Sequence, residues 1–222
     1  MDKNIKLVME KRIAKTIAAL EKNNMMGFYV EHKKDVPAKV AELLKDGCSV
    51  SFGGSMSLVE SGVVDLLRSG RYQLYDRENC APEDKPKVQR EAFFADAFLC
   101  SSNAVTENGE LYNVDGIGNR TAAIVFGPQS VIMVVGYNKL CKNLEEAALR
   151  VKTIAAPANC ERLNCATYCH EKGECAAFAK GNDFITTGCS SEGRICCTYV
   201  VCAQQRIKNR IKVVFVGEEL GY

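Results

Sequence analysis

Apolar residues recur at Ile5, Val8, Met9, Ile13, Ile17 and Leu20, with Lys and Glu on the opposite face. Spacing of three and four predicts an amphipathic helix over residues 3–23. The pattern then shortens. A run over 26–30, after Asn23-Asn24, predicts a strand. Asp35 caps the next helix and Pro37 sits in its first turn, with Gly47 as the stop. A strand over 48–52 ends in Gly53-Gly54-Ser55, and a helix follows to about residue 68. Residues 72–75 predict a strand, 81–87 a loop with two prolines, 88–97 a helix and 98–101 a short buried strand. A tight turn at Gly109 leads into another short strand. A helix over 119–126 stops at Gly127-Pro128. Residues 131–135 are apolar and rich in valine, the clearest strand in the chain. An amphipathic helix over 144–155 stops near Pro157, and 213–216 is the last strand.

Short apolar strands alternating with helices imply an α/β fold: an open, mostly parallel sheet with helices on both faces. The pattern runs through residues 1–222 as one domain, with a Cys-rich insertion at 159–205 before the last strand.

Composition narrows the function classes. A net charge of +2 gives no basic surface for nucleic acid. The run over 131–135 is far too short to span a membrane. The N-terminal residues carry charges throughout and lack the apolar core of a secretory signal, so a cytoplasmic location is expected. Thiols stay reduced there. This matters because eight of the twelve cysteines fall at 160, 165, 169, 175, 189, 196, 197 and 202. Four thiolates can hold zinc or an iron–sulfur cluster. No CxxC occurs, so the spacing is neither a ferredoxin run nor a zinc ribbon. Reduced cysteine acting as a small hydrophobe is the competing reading.

Three loops carry candidate chemistry. In the first, Gly53 and Gly54 let backbone N–H groups approach an anion, and Ser55 and Ser57 add hydroxyls. This is neither a Walker A loop nor a GxGxxG fingerprint, so no nucleotide cofactor is expected. The second holds Asn103, Thr106 and Glu107, then Asp115, Gly116, Gly118, Asn119 and Arg120. Glu107 and Asp115 are candidates for acid and base, and Arg120 for a fork onto a carboxylate or phosphate. The third holds Asn138 and Lys139 at the end of the clearest strand. Loops at the carboxyl ends of parallel strands build one crevice, so a small anionic metabolite is the expected ligand. With two histidines and no GxSxG or HExxH, no hydrolase signature stands out.

Residues 101–120, the Gly53–Ser57 turn, Gly127-Pro128, the turn from Gly136 to Lys139 and the ending over 216–222 together resemble the LUD-domain family of lactate utilization proteins. The resemblance implies a fold similar to the sugar-phosphate isomerase and CoA-transferase group. It also implies a link to oxidation of lactate to pyruvate beside iron–sulfur oxidoreductase subunits. Short members carry a cysteine-bearing segment ending in Arg-Ile-Cys, here Arg194-Ile195-Cys196. Cys169, Cys175 and Cys189 match the upstream thiols, so these three and Cys196 are the implied ligands of zinc or an iron–sulfur cluster. Three readings stay open: a subunit of an oxidoreductase complex, an independent isomerase- or transferase-like enzyme, and a non-catalytic metabolite-binding subunit. A homo-oligomer is compatible with each.

Overall fold

The computed structural model describes residues 2–179 and 185–222. Helix α1 (Lys3–Lys22) starts at Asp2, whose carboxylate accepts from the Asn4 and Ile5 N–H groups. Then follow β1 (Met26–Val30), α2 (Val36–Leu43), β2 (Ser49–Phe52), α3 (Met56–Glu60), α4 (Val63–Leu67), β3 (Gln73–Tyr75), α5 (Lys85–Glu91) and β4 (Ala97–Cys100). The middle of the chain adds β5 (Ala104–Thr106), β6 (Leu111–Asp115), α6 (Asn119–Phe126), β7 (Ser130–Gly136) and β8 (Leu140–Cys141). It ends with α7 (Leu144–Arg150), α8 (Ala156–Leu163), α9 (Tyr168–Lys172), α10 (Ala176–Ala179), β9 (Thr198–Cys202) and β10 (Ile211–Val216).

Six strands form an open sheet in the order β1-β10-β7-β4-β2-β3, with every pairing parallel. The period of two along these strands sends alternate residues to two cores. Val50, Phe52, Leu99, Ile132, Val134 and Val214 pack on one face with α2, α3 and α4. Phe98, Cys100, Val131, Met133, Val213 and Phe215 pack on the other with α1 and α6. Both faces are covered, which is why residues 131–135 are apolar without alternation. The α/β class and open parallel sheet expected from the pattern are what the structure has.

A second sheet, β8-β5-β6-β9, lies beside the first. Strands β5 and β6 form a hairpin at Gly109, where φ is +77° and an added Cβ would stand 2.8 Å from the α1 backbone, so there is no room for a side chain. Strand β9 closes the other edge by pairing antiparallel with β6. It draws Cys202 into the main core and Cys196 into a smaller one with Tyr112 and Val114.

Several elements differ from the pattern. The helix expected from residue 88 starts at Lys85, because Asp84 and Pro86 open it earlier. The helix expected to stop near Pro157 continues. Residues Val151–Ala155 form a π-helical turn in which the Ala156 N–H bonds to Val151 O, and α8 follows. Pro157 offers no N–H, and its ring would clash with a carbonyl in α register. One wider turn lets the helix pass it. Strands β5 and β9 were not expected at all. No described helix is long and apolar enough to cross a membrane.

Candidate functional site

The carboxyl ends of β2, β3, β4 and β7 open onto one rim of the main sheet. Gly54, Ser55, Arg77, Ser101, Asn103 and Lys139, which follow those strands, line one cavity of about 540 Å³. Asp115, Gly116 and Asn119 form another wall, and Asn159 and Arg162 of α8 a third.

Arg120 holds that wall together. Its Nε donates to Asp115 Oδ1 at 2.9 Å. Nη1 donates to Ser101 O at 2.7 Å and Asn113 Oδ1 at 2.9 Å, and Nη2 to Asn103 Oδ1 at 2.7 Å and Val114 O at 3.1 Å. The planar fork suits this task, since its donors reach several chain segments at fixed angles. Asp115 is equally committed: Oδ2 accepts from the Thr121 N–H at 2.6 Å. That bond satisfies one of the amides at the start of α6 that have no partner within the helix.

Lys139 lies deeper and is 3% exposed. Its Nζ donates to Ser57 Oγ at 2.9 Å and Ser101 Oγ at 3.2 Å. Burial and the nearby charges of Arg150 and Arg120 push its pKa from 10.5 down to about 7, against the weaker pull of Glu60 and Cys100. The fold disfavours the Lys139 proton, so the unfolded chain binds more protons between pH 7 and 10.5. The resulting penalty is complete below about pH 7 and relieved as pH rises to 10.5. Urea unfolding over a pH series is expected to show the unmodified chain gaining stability on its Lys139→Met variant across that window. A difference between the two that does not change with pH would contradict the assignment.

The segment 217–222 closes one side. Ser57 Oγ donates to Leu220 O, and Asn138 Nδ2 to Gly221 O. The Leu220 N–H donates to Asn138 Oδ1 and the Gly221 N–H to Glu60 Oε2. Leu220 is fully buried, and Tyr222 lines the cavity.

The charge balance of the lining is one-sided. Arg77, Lys85, Arg120, Lys139 and Arg162 face the cavity; among the described residues Asp115 is the one lining carboxylate side chain, and Arg120 already neutralises it. Among the described residues, Arg77 Nε is buried without a hydrogen-bond partner. Such a group costs on the order of 1–3 kcal/mol unless something accepts from it. Arg162 donates from Nε and Nη2 to Asn159 Oδ1, with the Tyr222 side chain beside it.

The sequence profile of the LUD domain matches residues 13–216, which takes in both sheets and every loop of the cavity except the closing segment. This chain belongs to the LUD domain family. No curated protein matches the chain in sequence. It aligns with the crystal structure of a DUF162 family protein from Deinococcus radiodurans at 14% identity. That alignment covers 95% of this chain and 97% of the other, with a TM-score of 0.48.

In this LUD domain the loops singled out in the sequence do not all serve one place. Gly54, Ser55, Asn103, Asp115, Gly116, Asn119, Arg120 and Lys139 line the cavity. Gly53 lies beneath Arg120, where an added Cβ would stand 3.4 Å from the guanidinium stem. Gly118 caps α6 with a φ of +79°. Ser57 and Asn138 support Lys139 and the closing segment. Thr106 and Glu107 lie elsewhere. Thr106 Oγ1 donates to Glu110, and Glu107 accepts from Arg12 at 2.6 Å and Lys15 at 3.2 Å, both on α1. Those two cations hold the Glu107 carboxyl below its usual range. Arg77, Lys85, Arg162 and Tyr222 were not anticipated; each is a single polar residue in a polar stretch, without a motif around it.

The four thiols implied by the resemblance are not brought to one point. Cys169 Sγ lies 3.5 Å from Cys160 Sγ. Cys175 sits among Cys196, Cys169 and Lys152. At Cys189 burial raises the pKa, but hydrogen bonds from Ser191 and the Tyr168 backbone and the charge of Arg194 outweigh that and bring it down. Among the described residues, no three His, Cys, Asp or Glu side chains are grouped as metal ligands would be.

Proposed function

We propose that this LUD domain binds a small anionic metabolite in the cavity and serves lactate utilization, acting beside iron–sulfur oxidoreductase subunits. One observation carries the reading: Arg77, Lys85 and Arg162 converge on a cavity in which, among the described residues, the one carboxylate side chain is already paired. In that reading Arg77 and Arg162 hold the carboxylate or phosphate by charge-assisted hydrogen bonds. Lys85 adds a mobile charge at the mouth. Lys139 meets a hydroxyl or carbonyl oxygen at the floor. Arg120 and Asp115 keep the wall in shape and do not move protons.

Calorimetric titration with lactate, pyruvate and inorganic phosphate tests this. At least one is expected to bind, and Arg77→Gln is expected to weaken it roughly tenfold or more, the worth of one charge-assisted contact. Binding that is absent for all three, or indifferent to Arg77, would overturn the proposal.

A further inference from the structure

The two hydroxyls that hold Lys139 have already spent their protons. Ser57 Oγ donates to Leu220 O at 3.1 Å, and Ser101 Oγ donates to Ser102 O at 3.2 Å. Each can therefore only accept from Nζ, and Lys139 gives one hydrogen to each. Among the described residues Nζ has no third acceptor and no carboxylate within ion-pair distance. With two hydrogens donated, the third position on Nζ is left for the cavity that Lys139 lines, the arrangement a neutral amine needs to present its lone pair to a ligand.

The surroundings favour the same form. Arg120 comes from α6 and Arg150 from α7; Glu60 of α3 and Cys100 of β4 are the groups that act the other way. Arg150 is itself held in place, donating to Asn138 O at 2.9 Å and Asn103 O at 2.7 Å. A lysine desolvated next to other cations is how proteins make an amine nucleophilic near neutral pH.

We infer that Lys139 is a reactive amine that condenses with the carbonyl of a ligand anchored by its own carboxylate or phosphate. The inference rests on the anion-binding reading and names the class within it: a small oxo compound carrying an anionic group. In the step, the Nζ lone pair adds to the carbonyl carbon, and the C=O π pair moves to oxygen. A proton passes from nitrogen to that oxygen. The second nitrogen proton and the C–O electron pair then leave with the oxygen as water, and the nitrogen pair closes the C=N bond. Amine plus carbonyl gives imine plus one water, with no change in oxidation state. The cations around the cavity hold the anionic end while the floor does this chemistry.

The test is borohydride trapping on the full chain, with pyruvate as the carboxylate source and dihydroxyacetone phosphate as the phosphate source. One of them is expected to leave a single reduced adduct, mapped by mass spectrometry to the peptide holding Lys139. The adduct should vanish in Lys139→Met, and trapping should be half-maximal near pH 7. Calorimetric binding of either compound without an adduct at Lys139 would overturn the inference and leave the anion reading intact. So would adducts spread over the exposed lysines. Should neither compound bind, acetic anhydride labelling of the free protein decides. Half-maximal modification of Lys139 near pH 7 upholds the amine and places the failure in the anion reading, whereas the ordinary lysine value of 10.5 overturns the amine.

Discussion

Arg120→Met is expected to lower the unfolding free energy by about 3–5 kcal/mol, the cost of breaking a buried charged pair by removing one partner. The side chains of Arg120 and Asp115 are 13% and 8% exposed, so water does little to compensate. The loss is not confined to the ion pair. Asn103, Asn113 and the carbonyls of Ser101 and Val114 all accept from the same guanidinium. They belong to two stretches of chain, 101–103 and 113–114, which otherwise meet here through the Val114 N–H on Asn103 Oδ1 and the Ser102 hydroxyl on Tyr112 O. In a protein of this size, each kcal/mol lowers the melting temperature by roughly 2–4 °C, so the shift should be on the order of 10 °C. Arg120→Lys should recover little, because one ammonium cannot reach acceptors so far apart in direction. A urea midpoint within experimental error of the unmodified chain would show that the wall stands without its fork.

Gly136→Ala is the second large effect, and its cause is space, not backbone conformation: φ there is −68°, open to any residue. A Cβ at this position would stand 2.5 Å from Leu220 N and 2.9 Å from Glu218 O, and closer still to Asn138 Oδ1. Two of the three atoms are backbone and cannot swing aside. The Asn138 side chain is the clamp that accepts from Leu220 and donates to Gly221. The methyl group therefore pushes the segment 217–222 off its seat. Overpacking of this kind costs about 1–3 kcal/mol, occasionally more. Here it should also loosen Leu220, whose carbonyl orients the Ser57 hydroxyl beneath Lys139. Limited proteolysis is expected to cut near residue 217 in the variant and not in the unmodified chain. Equal resistance in both would mean that the segment seats without the glycine.

The main sheet could be read from the chain because its strands are buried on both faces, so apolar runs such as 131–135 announce themselves. Helix α6 was equally plain, bounded by Gly118 and by Gly127-Pro128. Strand β9 was hidden because it is a half-exposed edge strand with no alternation. Its partner β6 lies some eighty residues away, and only their pairing makes it a strand. The cavity was half visible. Loops with several glycines and Asn or Asp residues stood out, whereas Arg77 and Arg162 did not, since a lone cation in a polar stretch carries no local mark. Glu107 shows the opposite failure. It sits inside the most distinctive stretch of the sequence, yet Arg12 and Lys15 of α1 claim it from more than ninety positions away. Nothing in its neighbours could announce that.

The widened turn at Val151–Ala155 reaches further than its five residues. One residue of α-helix turns the chain by about 100°, so the extra residue in that turn sets which side of α8 looks inward. Asn159 and Arg162 meet the cavity on that account. Excising a single residue there would swing both away while leaving every side chain of the wall unchanged in identity. Relatives could therefore retune what they grip by a one-codon slip in a helix, and aligning their cavity residues column by column would miss the difference.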